Sequence, residues 1–160
     1  MDVRLTIMPA VADYKRRYNL SIEDRQQEQA VLDRVAMQAH ALGINEDKVQ
    51  NIFRVQIELA KDVQRVILKN STDSKAIPSW SRELDLTTDL RPALAELNDR
   101  IVHELARASS GLHDRILLRR LANEEITISG ISLAGKRQLA DALGAVGREE
   151  KSKRIKGKEE

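Results

Sequence analysis

The sequence predicts an all-α protein, a single-domain helical bundle of about six helices, and three observations carry that prediction. Apolar residues recur at intervals of three and four through most of the 160 residues, the repeat of a helix with one buried face. No alternating apolar-polar stretch is longer than Ile126–Ser129, "ITIS", so no half-buried strand is expected. Prolines and glycines are few, three and seven, as in a chain that is mostly helix.

The first helix is expected from about Asp2 to Tyr18, with Pro9 kinking it or removing one hydrogen bond. "NLSIED" (Asn19–Asp24) reads as a turn into a second helix, with Ser21 as N-cap and Asp24 three residues on, a variant capping box. Gly43 ends that helix as a left-handed stop. Asn45 caps a third helix that carries Val49, Ile52, Phe53, Ile57, Ala60, Ile67 and Leu68 on one side, with Gln64 in mid-stripe. A Ser- and Asp-rich loop containing Pro78 follows. The fourth helix begins near Thr87 or Thr88 and shows Leu90, Leu94, Leu97, Ile101 and Leu105. After "ASSG" a shorter helix carries Leu112, Ile116, Leu117 and Leu121, and Ser132 caps the last helix, which runs to about Val146. Residues 1–147 are expected to form the domain, and 148–160 a charged, disordered tail.

Composition excludes several classes of function. Only Tyr14, Tyr18, Phe53 and Trp80 are aromatic, so the core must be aliphatic. No apolar run approaches the ~20 residues that span a bilayer, and no membrane partner is expected. The sequence pI is about 9.0, but residues 148–160 hold six Lys/Arg and four Glu, which accounts for the whole formal charge of +2. The body is neutral, so a nucleic-acid partner is not expected. A DNA-binding reading would rest on "SLAGKRQLADALG" (Ser132–Gly144) and the tail, and that helix lacks a partner helix and turn. With no cysteine there are no disulfides, thiolate metal sites or cysteine nucleophiles. The opening "MDVRLTIMPA" has no basic n-region followed by an apolar run, so no signal peptide is expected in this chain.

His40, His103 and His113 are scattered, no carboxylate spacing suits a metal, and Ser109, Ser110 and Ser129 have no base beside them. Neither a metal nor a cofactor is expected. What remains is polar residues on apolar faces. Arg4 and Lys15 share a stripe with Met8 and Val11; Glu28, one turn after Asp24, is in line with Leu32, Val35 and Ala39; Gln64 interrupts the third helix. A buried ion network accounts for each singly. Together they describe a small pocket for a dianion, because cations and carboxylates bind tightly when desolvated.

These intervals resemble a known family. Arg4, Lys15 eleven residues on, "IED" with "QE" (Ile22–Glu28), Gln64 and "DLRPALAELN" (Asp89–Asn98) are similar to the all-helical, type II chorismate mutases, and most to their gamma, periplasmic or secreted, subclass. The resemblance covers roughly residues 4–105. It implies that Arg4 clamps a substrate carboxylate, that Lys15 donates to the ether oxygen of the breaking bond, and that Gln64 flanks that oxygen. It implies further that Glu28 accepts from the ring hydroxyl with Asp24 one turn before it, and that Arg91 completes the site from the same chain. Two positions depart from the family pattern: Gln27 stands where many members have arginine, and Ala60 where a serine or threonine often contacts substrate.

The implied reaction is the pericyclic rearrangement of chorismate to prephenate, on the route to phenylalanine and tyrosine, with no cofactor. A homodimer and a periplasmic or secreted location are also implied, with a cytoplasmic one as the alternative. The rival functions are isochorismate-pyruvate lyase and a non-catalytic helical interaction module of the same fold. Deleting residues 148–160 is expected to leave chorismate turnover unchanged, since no apolar periodicity docks them. A large loss of turnover would contradict a passive tail.

Overall fold

The computed structural model describes residues 2–70, 79, 83–108, 111–112 and 114–156. Its helices are α1 (Asp2–Thr6), α2 (Met8–Arg17), α3 (Arg25–Ala41), α4 (Glu46–Lys69), a π-helical turn (Leu86–Leu90), α5 (Arg91–Ala108), α6 (Arg115–Glu125) and α7 (Leu133–Lys156). Among the described residues there is no strand. The expected first helix is the pair α1 and α2. Pro9 at the start of α2 cannot donate, the ladder breaks at Ile7, and the Ile7 carbonyl accepts from Ala10 and Val11 instead. The backbone of α7 continues past Val146, the last residue of its apolar pattern.

The cap of α3 differs from the expected one. Asp24, not Ser21, is the N-cap, accepting from the Gln27 N–H at 3.1 Å, and Ser21 Oγ accepts from the Glu23 N–H within the preceding turn. An ionised carboxylate at the helix N-terminus outbids a hydroxyl because it also meets the positive end of the helix dipole. The C-terminus of α3 follows expectation. Gly43 has φ +70°, its N–H donates to the His40 carbonyl, and the Ile44 N–H donates to that of Ala39, the two bonds of a Schellman stop. Asn45 caps α4, Asp114 caps α6, and Ser132 accepts from Gly135 N–H at the start of α7. The fourth helix opens with the π-helical turn, capped by Asp85, one residue before the expected start.

α4 is the central element, packing against α1, α2, α3 and α7. The main core joins Leu5, Met8 and Val11 to Ile52, Leu59 and Val63 of α4 and to Leu139 and Val146 of α7. A second core, around Phe53, Val35, Val49 and Val102, lies between α3, α4 and α5. The apolar stripe expected on the short helix is not buried. Ile116 is 84% exposed, and Leu117 and Leu121 are each 40% exposed; α6 instead buries Ala122 and packs Leu118 against the core. The loop with Trp80 and Pro78, and Ser109, Ser110 and His113, lie outside the described residues. His40, His103 and Ser129 are exposed.

Gly130 sets how closely the turn before α7 approaches α4. Its φ is +100°, and a Cβ there would meet Val66 Cγ2 at 3.1 Å and Val63 Cα at 3.2 Å. Gly130→Ala is therefore expected to cost about 1–3 kcal/mol, from backbone strain and crowding against a helix backbone. Thermal denaturation should show a fall of roughly 3–10 °C; an unchanged Tm would mean that neither constraint holds.

Candidate active site

A cavity of about 390 Å³ opens where the two cores meet, lined by residues from α1 through α5 of one chain. Its charged walls follow from how the helices end. α2 stops because Asn19 adopts a left-handed conformation (φ 52°), with the Leu20 N–H donating to the Lys15 carbonyl and the Asn19 N–H to that of Arg16. Asparagine tolerates that conformation better than most residues. The reversal brings Ile22 back over α2, and Lys15 Nζ donates to its carbonyl at 2.6 Å. Burial lowers the Lys15 pKa from its ordinary value; Asp24 and Glu28 oppose the shift, while Arg91 and Lys61 add to it.

The first turn of α3 supplies the acidic wall. Asp24 caps the helix with one oxygen and binds Arg91 Nη2 at 2.6 Å with the other. Glu28 reaches back to accept from the Asp24 N–H at 3.3 Å, and its other oxygen pairs with Lys61 Nζ at 3.0 Å. The turn that leads into Arg91 is anchored by Asp85. One Asp85 oxygen accepts from the Thr87 and Thr88 N–H groups, the other from the Tyr14 hydroxyl at 2.8 Å, so α2 holds the π-helical turn that carries Leu86 to the cavity and opens α5. These hydrogen bonds, those from Thr88 and Tyr14 foremost, lower the Asp85 pKa.

Arg4 occupies the floor. It is 6% exposed, its guanidinium lies over the Phe53 ring with 5.9 Å to the centroid, and its Nε and Nη1 have no hydrogen-bond partner. Burial lowers its pKa from the ordinary arginine value to about 10. Gln64 is buried, with Oε1 unpartnered and Nε2 on the Met8 sulfur at 3.6 Å, a weak bond that a ligand oxygen would displace. Five cations and two carboxylates line the cavity. Lys61, Arg91 and Arg34 are paired with carboxylates, whereas Arg4 and Lys15 are in no ion pair among the described residues.

All eight residues singled out in the sequence, Arg4, Lys15, Asp24, Gln27, Glu28, Ala60, Gln64 and Arg91, line this one cavity. Three polar lining residues were not singled out: Lys61, Arg34 and Asn98. Lys61 lies between Ile57 and Gln64 at helical spacing, and Asn98 between Leu94 and Val102, so a search for polar residues on those apolar stripes would have found both. Arg34 carries no such signal, since it sits on an exposed turn and is drawn in by a bidentate pair with Asp99 of α5 at 3.0 and 2.5 Å. No group of three or more His, Asp or Glu suited to a metal occurs among the described residues.

Residues 1–65 match the family model of chorismate mutase type II. That stretch includes seven of the eight residues and the turn that orients Lys15. Residues 1–65 are similar to the type II chorismate mutases. The secreted chorismate mutase of Yersinia pestis is 35% identical over 109 residues, 66% of this chain, and the match spans only 55% of that relative's own length. The crystal structure of the Yersinia pestis secreted chorismate mutase superposes with a TM-score of 0.72 at 24% identity, covering 89% of this chain and 90% of that one. The structure of chorismate mutase from Burkholderia thailandensis gives 0.71 at 27% identity, covering 91% and 92%. Coverage of that extent exceeds residues 4–105, so the chorismate mutase fold includes much of α6 and α7 as well.

The depressed pKa of Arg4 has a thermodynamic consequence. A guanidinium whose pKa burial lowers to about 10 costs the folded protein on the order of 3 kcal/mol. That cost is present in full below pH about 10, where Arg4 is charged both folded and unfolded, and is relieved as pH rises through that value. Arg4→Met should therefore raise the Tm of the ligand-free protein, because replacing an unpaired buried cation by a hydrocarbon is stabilising. A small dianion that fills the cavity and pairs with Arg4 should raise the Tm of the parent more than that of the variant. A lower Tm for the variant would mean that Arg4 is already satisfied.

Proposed function

We propose that the protein is a chorismate mutase that binds the chorismate dianion in the α1–α5 cavity and rearranges it to prephenate. The observation that carries this reading is the pair of buried cations, Arg4 and Lys15, that lack carboxylate partners in a cavity whose other cations are paired. A dianionic ligand that brings a carboxylate to Arg4 and an ether oxygen to Lys15 supplies what the protein withholds.

The reaction is a pericyclic shift that needs neither a covalent intermediate nor a proton transfer. The protein's task is to hold the enolpyruvyl arm over the ring and to stabilise negative charge gathering on the ether oxygen as the C–O bond breaks. In this reading Arg4 and Arg91 hold the two carboxylates, while Lys15 and Gln64 approach the ether oxygen. Glu28 accepts from the ring hydroxyl, and Asp24 keeps Arg91 in place. Gln27 and Ala60 line the wall without charge, so the departure at 27 leaves both carboxylate clamps intact. Export to the periplasm or medium belongs to the same reading, supported by the secreted relative, and so does a homodimer, carried over from the gamma-subclass resemblance.

The test is the disappearance of chorismate absorbance with prephenate as product. Pyruvate released from isochorismate would instead favour the lyase, and no turnover of either would favour a non-catalytic module. Lys15→Ala should lower kcat on the order of 10²- to 10³-fold, because it removes a donor used mainly at the transition state. The pH profile should have its alkaline limb below the ordinary lysine value of 10.5, since burial lowers the Lys15 pKa and only the protonated form donates. The dianion bound beside it favours the ammonium, so the limb should lie at higher pH in kcat than in kcat/KM. A limb that stays put in Lys15→Arg and Lys15→Ala would assign it to another group.

A further inference from the structure

Glu28 does not stand alone on its wall, and the group that holds it comes from a different helix. Lys61 of α4 is 8% exposed and lines the cavity. Its ammonium reaches Glu28 Oε2 at 3.0 Å and Glu58 Oε1 at 2.9 Å. The other Glu28 oxygen accepts the Asp24 N–H at the head of α3. The carboxylate is thus pinned from both sides, by its own helix and by α4, and each oxygen keeps a lone pair free. Its neighbour on α3, Gln27, contributes no charge.

We propose that Lys61 is a positioning residue that acts through Glu28, fixing that carboxylate for a ligand hydroxyl and offsetting its charge so that a dianion can bind beside it. The inference rests on the chorismate mutase reading and adds to it a residue outside the sequence pattern that suggested it. Two physical needs meet at this lysine. Free to rotate, Glu28 would lose the hydrogen bond to the hydroxyl and pay side-chain entropy to recover it on binding. Unpaired, it would place a negative charge against a ligand that carries two. Lys61 keeps its own charge for this role. Burial, the largest single effect, lowers its pKa, but the hydrogen bonds it donates to Glu58 and Glu28, with the charges of those two carboxylates, together outweigh burial and the net shift is upward.

Because the hydroxyl contact is present in substrate and transition state alike, losing its support weakens binding more than chemistry. In steady-state turnover of chorismate, Lys61→Met should raise KM on the order of tenfold while kcat changes by less than about threefold. Lys61→Arg, which keeps the cation, should restore most of KM. In the background of Glu28→Gln, Lys61→Met should add almost nothing, because both changes break one shared interaction. Melting curves on each variant separate these effects from misfolding, and Lys61→Arg keeps the test alive if Lys61→Met fails to fold. The inference is overturned if folded Lys61→Met has the parent KM, if Lys61→Arg is as impaired as Lys61→Met, or if the two changes are additive. A fall in kcat at constant KM would also overturn it, since Lys61 would then act directly at the transition state. Absence of turnover by the parent protein would instead overturn the chorismate mutase reading, and this inference with it.

Discussion

A guanidinium buried against Phe53, with two of its nitrogens unsatisfied, is the constraint on which the rest of this structure turns. Arg4 sits where an apolar core would otherwise close, and burial without a hydrogen-bond partner for Nε and Nη1 depresses its pKa. Lys15, eleven residues further on and two turns into α2, carries a second buried charge whose protein contact is a carbonyl. A bundle that needed only stability would fill these positions with leucine or methionine. Both charges face one cavity, and a dianionic ligand there would relieve their cost.

The remaining parts of the fold can be understood as supports for that cavity. α4 runs through the centre and contributes Ile57, Ala60, Lys61 and Gln64 to it while packing α2, α3 and α7 on its other faces. The ends of the helices do the finer positioning. The left-handed Asn19 turns the chain back over Lys15, the Asp24 cap gives its spare oxygen to Arg91, and Asp85 binds α2 to the turn that opens α5. Caps that terminate helices here also aim charged groups, so a change at a cap would alter the site as well as the helix.

Most of the architecture was legible in the sequence because helix periodicity, glycine stops and polar caps are local signals. Arg4, Lys15, Glu28 and Gln64 were legible for the opposite reason: they violate the apolar pattern around them, and such violations mark sites more often than errors. The true cap of α3 was less clear, because Ser21 and Asp24 both suit a cap and lie only three residues apart. The exposure of Ile116, Leu117 and Leu121 was not legible at all, since periodicity gives a helix its apolar face but not what covers it. Lys61, at helical spacing from Ile57 and Gln64 on the same apolar stripe, was legible by the same signal but was not singled out.

The central claim is that the two unpaired cations await the two carboxylates and the ether oxygen of one ligand. A crystal structure with a bicyclic ether dicarboxylate that mimics the transition state tests this most directly. The account predicts one carboxylate on Arg4, the other on Arg91, and the ether oxygen within hydrogen-bonding distance of both Lys15 Nζ and Gln64 Nε2, with the Gln64–Met8 contact broken. A ligand bound elsewhere, or one that leaves Arg4 Nε and Nη1 still unpartnered in the occupied cavity, would contradict it.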